Sequence, residues 1–124
     1  MWMAVRVQDT EILRRVLDRW KAAIDAQEHE RVAAVFTDDA IFQGLHPYSV
    51  GRQGVADYYA AQPRGIAVTY QILETRRPSN DLVLGYVSAQ FTFPERPAVN
   101  VNLGVLATRG DGWRIMHYQA SPAV

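Results

Sequence analysis

The chain has 124 residues, 48% of them hydrophobic, with 13 basic and 13 acidic side chains and a formal net charge of zero. That length and apolar content predict one domain, residues 1–124, with a single core. Scattered rather than clustered basic residues argue against nucleic acid and anionic membrane surfaces as partners, and the absence of cysteine excludes disulfides, thiolate catalysis and thiolate–metal sites.

The opening residues, Met1-Trp2-Met3-Ala4-Val5-Arg6, lack a charged segment followed by a long apolar run, so no secretory leader is expected. No apolar run approaches the ~18 residues that cross a bilayer. A cytoplasmic location is therefore the expectation. Ile12, Leu13, Val16, Leu17, Trp20, Ala23 and Ile24 then recur at helical spacing, with charged residues on the other side. Asp9 or Thr10 is a candidate cap for the start of that helix. A short second helix is predicted from about Glu28 to Phe36, stopped by Thr37-Asp38-Asp39, and Ala40–Gln43 reads as a short strand. Gly44 to Gly51 is a loop by composition. Arg52 to Gln62 fits a third helix with Val55, Tyr58 and Tyr59 inward, ended by Pro63.

Strands follow. Ile66–Thr75 alternates, Asp81–Phe93 is rich in Val, Leu, Tyr and Phe, and Pro94-Glu95-Arg96-Pro97 is a turn into Ala98–Thr108. Arg109-Gly110-Asp111-Gly112 turns into a last strand, Trp113 to Ser121, closed by Pro122. Helices grouped ahead of an antiparallel meander give the α+β class.

Strand parity assigns faces. Simple alternation across a four-residue turn pairs Leu106 with Ile115, Gly104 with His117 and Asn102 with Gln119, and directly opposed residues share a face. With Glu95-Arg96 as a two-residue turn, Phe91, Ala89 and Val87 join it. One face would then mix Asn100, Asn102, His117 and Gln119 with Phe, Leu and Ile. The opposite face carries Val99, Val101, Leu103 and Val105, an almost purely apolar row. Two buried faces need two covers: the helices for the mixed face, and a second copy of the chain for the apolar row. A homodimer is thus expected.

The Phe36-Thr37-Asp38-Asp39-Ala40 junction, the Gly51-Arg52-Gln53-Gly54-Val55 helix start with Tyr58-Tyr59, and the final Gly112-Trp113-Arg114-Ile115-Met116-His117 strand occur in an order and spacing that resemble SnoaL-like and ketosteroid-isomerase-like proteins. These belong to the nuclear transport factor 2-like group. The resemblance runs from about Asp9 to Pro122. It implies a cystatin-like cone of three N-terminal helices on a curved, mainly antiparallel sheet, enclosing a pocket.

The chemistry of that group carries over only in part. Matching the motifs puts Gly44 where ketosteroid isomerases hold a carboxylate base. Gly104 falls at their protonated acid on the penultimate strand, and Trp20 at their tyrosine donor. An Asp-Arg-Asp arrangement of the epoxide hydrolase kind has no counterpart on the inner face read for the last two strands. What remains is His117, an imidazole with a reference pKa of ~6.5, suited to acid/base work. Asn100, Asn102 and Gln119 would orient a carbonyl or stabilise an enolate, with Trp20, Phe42 and Tyr59 in an aromatic wall. The same imidazole and amides also satisfy one another in a purely structural reading. His46-Pro47-Tyr48 lies, by the resemblance, near the pocket mouth; it reads first as a solvated loop, with a lid or a ligand contact as the alternative.

The histidines show no metal-ligand spacing, so no metal and no cofactor are implied. The ligand expected is a small, mostly apolar molecule. If the protein is an enzyme, a cofactor-independent isomerase, cyclase or dehydratase acting next to a carbonyl is the reading. A non-catalytic binding protein and a dimerisation module are the alternatives.

Overall fold

A computed structural model describes residues 2–123, with side chains from Val7 to Ala123. Three helices, α1 (Trp2–Asp25), α2 (His29–Ala33) and α3 (Arg52–Ala60), accompany six strands. The strands are β1 (Phe36–Gln43), β2 (Ser49–Val50), β3 (Ala67–Ser79), β4 (Leu82–Phe93), β5 (Arg96–Arg109) and β6 (Trp113–Pro122). They form one sheet in the order β2-β1-β6-β5-β4-β3. The β1–β6 pair is parallel and every other neighbour antiparallel. This is the α+β cone expected. No helix among the described residues is long and apolar enough to cross a membrane.

Helix α1 carries the heptad-like stripe read from the sequence: Leu13, Val16, Leu17, Trp20, Ala23 and Ile24 are all buried. It does not start at Asp9. That carboxylate is buried inside the helix span and accepts from the Arg77 guanidinium of β3 at 2.7 Å, so it ties helix to sheet instead of capping. At its other end the helix closes with Gln27 in the left-handed region (φ 62°). Gln27 N–H bonds to Ile24 O and Glu28 N–H to Ala23 O, the paired closure that satisfies the last carbonyls. The Gln27 amide then holds the entry to β3, donating to Ile66 O (2.8 Å) and accepting from Gly65 N–H (3.2 Å). Close packing of α1 on β4 needs Gly85, where a Cβ would lie 2.2 Å from Leu13 Cδ2.

Two boundaries differ from expectation. Helix α2 is only His29–Ala33, and Phe36 to Asp39, read as its end and stop, belongs to β1. The reason is tertiary: Phe36 pairs with Ile115 of β6, and an irregularity before Ile41 absorbs the polar Thr37–Asp39 segment. The β4–β5 turn is also shifted by one residue. Phe93 pairs with Arg96, leaving Pro94-Glu95 as the loop, so Phe91, Ala89 and Val87 lie opposite Val99, Val101 and Leu103.

The assignment of faces is reversed. Val101, Leu103 and Val105 are at most 1% exposed and sit in the same cluster as Leu17, Trp20 and Val55, on the face covered by helices. No partner is needed to bury them. In β6 the register slips between Leu106 and Ala107: Ala107 pairs with Ile115, then Leu106 with His117, Val105 with Tyr118 and Gly104 with Gln119. The extra residue, Met116, is a bulge. It lets Ile115 and Tyr118 both point inward and turns His117 and Gln119 out. Simple alternation cannot anticipate that phase change.

Candidate functional site

The cone interior is filled mostly by rings. Phe42 on β1 and Tyr118 on β6 are register partners and stack at 4.8 Å with 19° between planes. Trp20 meets Phe91 edge-on at 6.0 Å, and Phe42 meets Tyr58 edge-on at 5.0 Å. Each arrangement matches the offset or edge geometry that ring quadrupoles favour. What stays open is a cavity of about 100 Å³ bounded by Tyr58 and Tyr59 of α3, Phe91 of β4, Val101 of β5, and Tyr118 and Ala120 of β6. Its mouth lies between the Gly44–His46 loop and the β4–β5 turn with Phe93 and Arg96.

A four-ring molecule does not fit there. Usual small-molecule pockets run to ~300–1,000 Å³, whereas an apolar cavity of about 150 Å³ takes a benzene ring. At about 100 Å³ this cavity is smaller than either, so one ring is the upper limit and part of it would extend into the mouth.

Hydrogen-bond direction gives the cavity its chemistry. Trp20 Nε1 donates to the Tyr59 hydroxyl at 3.3 Å, and the Tyr118 hydroxyl interacts with that of Tyr59. A phenol that accepts from an indole N–H keeps its own hydrogen for another acceptor. Burial raises the pKa of both Tyr59 and Tyr118 well above the phenol norm; the bond to Tyr59 adds to the rise at Tyr118. Both therefore stay protonated donors at neutral pH. Tyr58 is raised too, again by burial, with the Leu45 backbone N–H bonding to its oxygen as a smaller opposing influence.

Gly44 makes room for that phenol, since a Cβ there would come within 2.4 Å of the Tyr58 hydroxyl. The position matched to a carboxylate base in ketosteroid isomerases is thus held open for a tyrosine. The cavity wall contains no carboxylate; its charged or titratable members besides the phenols are His46, whose ring lies 5.9 Å from that of Tyr58, and Arg96.

Of the residues nominated from the sequence, Trp20, Phe42 and Tyr59 come together here. Tyr59 lines the cavity, and Trp20 and Phe42 back it as fully buried rings. His117, Asn100, Asn102 and Gln119 do not. They lie on the outer face, His117 between Leu106 and Ile41, Gln119 opposite Gly104. Asn100 accepts from the Gln90 amide at 3.0 Å, and Asn102 sits between Ser88 and Ser121. The imidazole at the cavity is His46, in the loop read first as solvated and alternatively as a ligand contact. Tyr118 and Arg96 went unnominated; the signal for Tyr118 was the apolar Val101–Val105 row it pairs beside, once that row is assigned to the interior. No group of three or more carboxylate or imidazole side chains comes together among the described residues.

Three helices and a mostly antiparallel six-stranded sheet, closed around a ring-lined cavity, define a protein of the cystatin-like fold. Solved structures agree. The chain is similar to a cystatin-like domain of unknown function from Nostoc punctiforme, with TM-score 0.81 and 19% identity over 94% of this chain and 78% of that one. It is also similar to a ketosteroid isomerase-like protein from Erwinia carotovora, at TM-score 0.77 and 18% identity over 92% and 95%. A putative scytalone dehydratase from Novosphingobium aromaticivorans gives TM-score 0.78 and 16% identity over 95% and 86%. At such identities the likeness establishes the fold alone. No curated protein matches in sequence. Residues 13–124 match the SnoaL-like domain. The chain belongs to that family.

Proposed function

We propose that this protein binds a small, single-ring or similarly compact apolar molecule bearing a carbonyl or another oxygen acceptor, seated in the aromatic cavity with its oxygen on the Tyr59 hydroxyl. The observation that carries this is the Tyr59 phenol, which lines the cavity and accepts from Trp20, leaving its own hydrogen for a further acceptor. Such a preorganised donor also stabilises charge developing on a carbonyl oxygen. With His46 at the rim as proton acceptor, the cavity has what a cofactor-independent proton transfer beside a carbonyl requires. That role moves to His46 because His117 faces away. The fold neighbours named for isomerase and dehydratase activity are compatible with this chemistry.

Acetophenone is the probe. Its binding, followed by the indole N–H resonance of Trp20, is expected to weaken about 5–10-fold in Tyr59→Phe, the loss of one hydrogen bond of ~1–1.5 kcal/mol. It is expected to survive unchanged in His117→Ala. Absence of any acetophenone binding by the folded wild type would sink the proposal.

A second reading concerns the outer sheet face. Leu84, Leu106, His117, Ile41 and Val50 form one continuous row across five strands. Ile41, Val50 and Leu84 are between 43% and 62% exposed, and Tyr86 stands beside the row at 48%. Gly104, the cross-strand partner of Tyr86, leaves an open notch where a Cβ would touch nothing. A self-complementary patch of ridge and notch suits a two-fold pair of identical chains. Sedimentation should give a dimer at micromolar concentration and a monomer for Leu84→Glu with Ile41→Glu. A monomeric wild type would refute it.

A further inference from the structure

Most basic side chains of this neutral chain are occupied. Arg14, Arg15, Lys21, Arg31, Arg76, Arg77, Arg109 and Arg114 pair with carboxylates, and Arg19 and Arg52 donate to the backbone carbonyls of Trp113 and Phe36. Among the described Lys and Arg side chains, Arg64 and Arg96 alone have neither a carboxylate partner nor a hydrogen bond. Both border one surface depression of about 460 Å³ beside Phe93 and Pro94. Arg96 is also part of the cavity wall.

Arg96 is held there by geometry. It is the cross-strand partner of Phe93 over the two-residue Pro94-Glu95 loop, and its guanidinium carbon lies 4.1 Å from the centre of the Phe93 ring. Stacking of this kind fixes the plane of the guanidinium while leaving its N–H edge free. The Phe93 ring lines the cavity mouth as well. A planar, bidentate donor thus stands at the rim of an apolar cavity whose wall holds no carboxylate to repel an anion. Glu95 shares the outer depression but forms no ion pair with either arginine.

We propose that the ligand is a small aromatic or branched aliphatic carboxylate bearing a second oxygen, its apolar part against Phe91 and Tyr118, the second oxygen on the Tyr59 hydroxyl and the carboxylate on the free edge of Arg96. This rests on the cavity being a ligand site, as argued above, and adds the chemical class of what enters. Fork-to-fork pairing of guanidinium with carboxylate supplies orientation as well as attraction. Arg64, on the far side of the depression, adds field without a fixed contact. Overall neutrality of the chain then hides a local positive rim beside the cavity.

Benzoate and benzamide separate the two ideas, being matched in shape and different in charge. At low salt, calorimetry on the wild type is expected to show benzoate binding about 5–10-fold tighter than benzamide, the scale of a partly exposed charged pair. The preference should shrink in 0.5 M salt. In Arg96→Gln, at the exposed start of β5, benzoate should fall to the level of benzamide while benzamide is unchanged; Arg96→Lys should recover part of the difference. Equal affinities in the wild type, or a preference that survives Arg96→Gln, would overturn the carboxylate assignment and leave the cavity reading standing. If neither compound binds, both proposals fall.

Discussion

The hydrogen bond into Tyr59 makes a quantitative demand on two conservative substitutions. Tyr59→Phe removes the oxygen to which Trp20 Nε1 donates. That donor would be left behind in a side chain 0% exposed. An unsatisfied buried donor costs about 1–3 kcal/mol, and the interaction with the Tyr118 hydroxyl, about 1 kcal/mol, goes as well, so the expected loss is about 2–4 kcal/mol. Tyr118→Phe removes only that second interaction. Tyr59 then still accepts from Trp20, and the loss is about 1 kcal/mol. Urea unfolding at pH 7, with equal m-values to show that the same transition is compared, should rank Tyr59→Phe as at least twice as destabilising as Tyr118→Phe. Equal costs, or the reverse order, would refute the assigned direction and with it the free hydrogen on which the ligand site depends.

Three further outcomes are expected. Because burial holds Tyr59 and Tyr118 above the usual phenol value of 10.0, the folded state keeps protons that the unfolded chain releases. Stability should be intact below pH 10 and fall above it, by up to about 1.4 kcal/mol per pH unit for each group. Urea midpoints from pH 8 to 11 check this, and a flat profile would contradict it. Gly44→Ala should lower stability by about 1–3 kcal/mol and disturb ligand binding, since its Cβ would collide with the Tyr58 hydroxyl at 2.4 Å; an unchanged thermal midpoint would mean that the ring moves aside freely. His117→Ala should leave acetophenone and benzoate affinities within twofold of wild type, and a large loss would place the imidazole in the site after all.

Much of the architecture was legible in the chain itself. The stripe from Leu13 to Ile24 repeats at helical spacing, the Val, Leu and Tyr segments alternate, and Gly-Asp-Gly and Pro-Glu punctuate them; these are local signals, and local physics reads them. The aromatic positions Trp20, Phe42 and Tyr59 were legible for the same reason, since a large ring on the apolar stripe or strand face must go inside. Faces and partners were not legible. One bulged residue, Met116, inverts the phase of β6 after Ile115, and parity propagates that single step to His117, Gln119 and every residue paired with them. A bulge is chosen by the fit of two strands to the helices above them, not by the residue that bulges. The same holds for Asp9, a plausible cap by type that becomes the buried partner of Arg77 68 residues away. Composition could establish that charges balance. Only the folded chain decides which arginines are spent on carboxylates and which two are left at the depression beside Phe93 and Pro94, because pairing depends on distances between residues far apart in sequence.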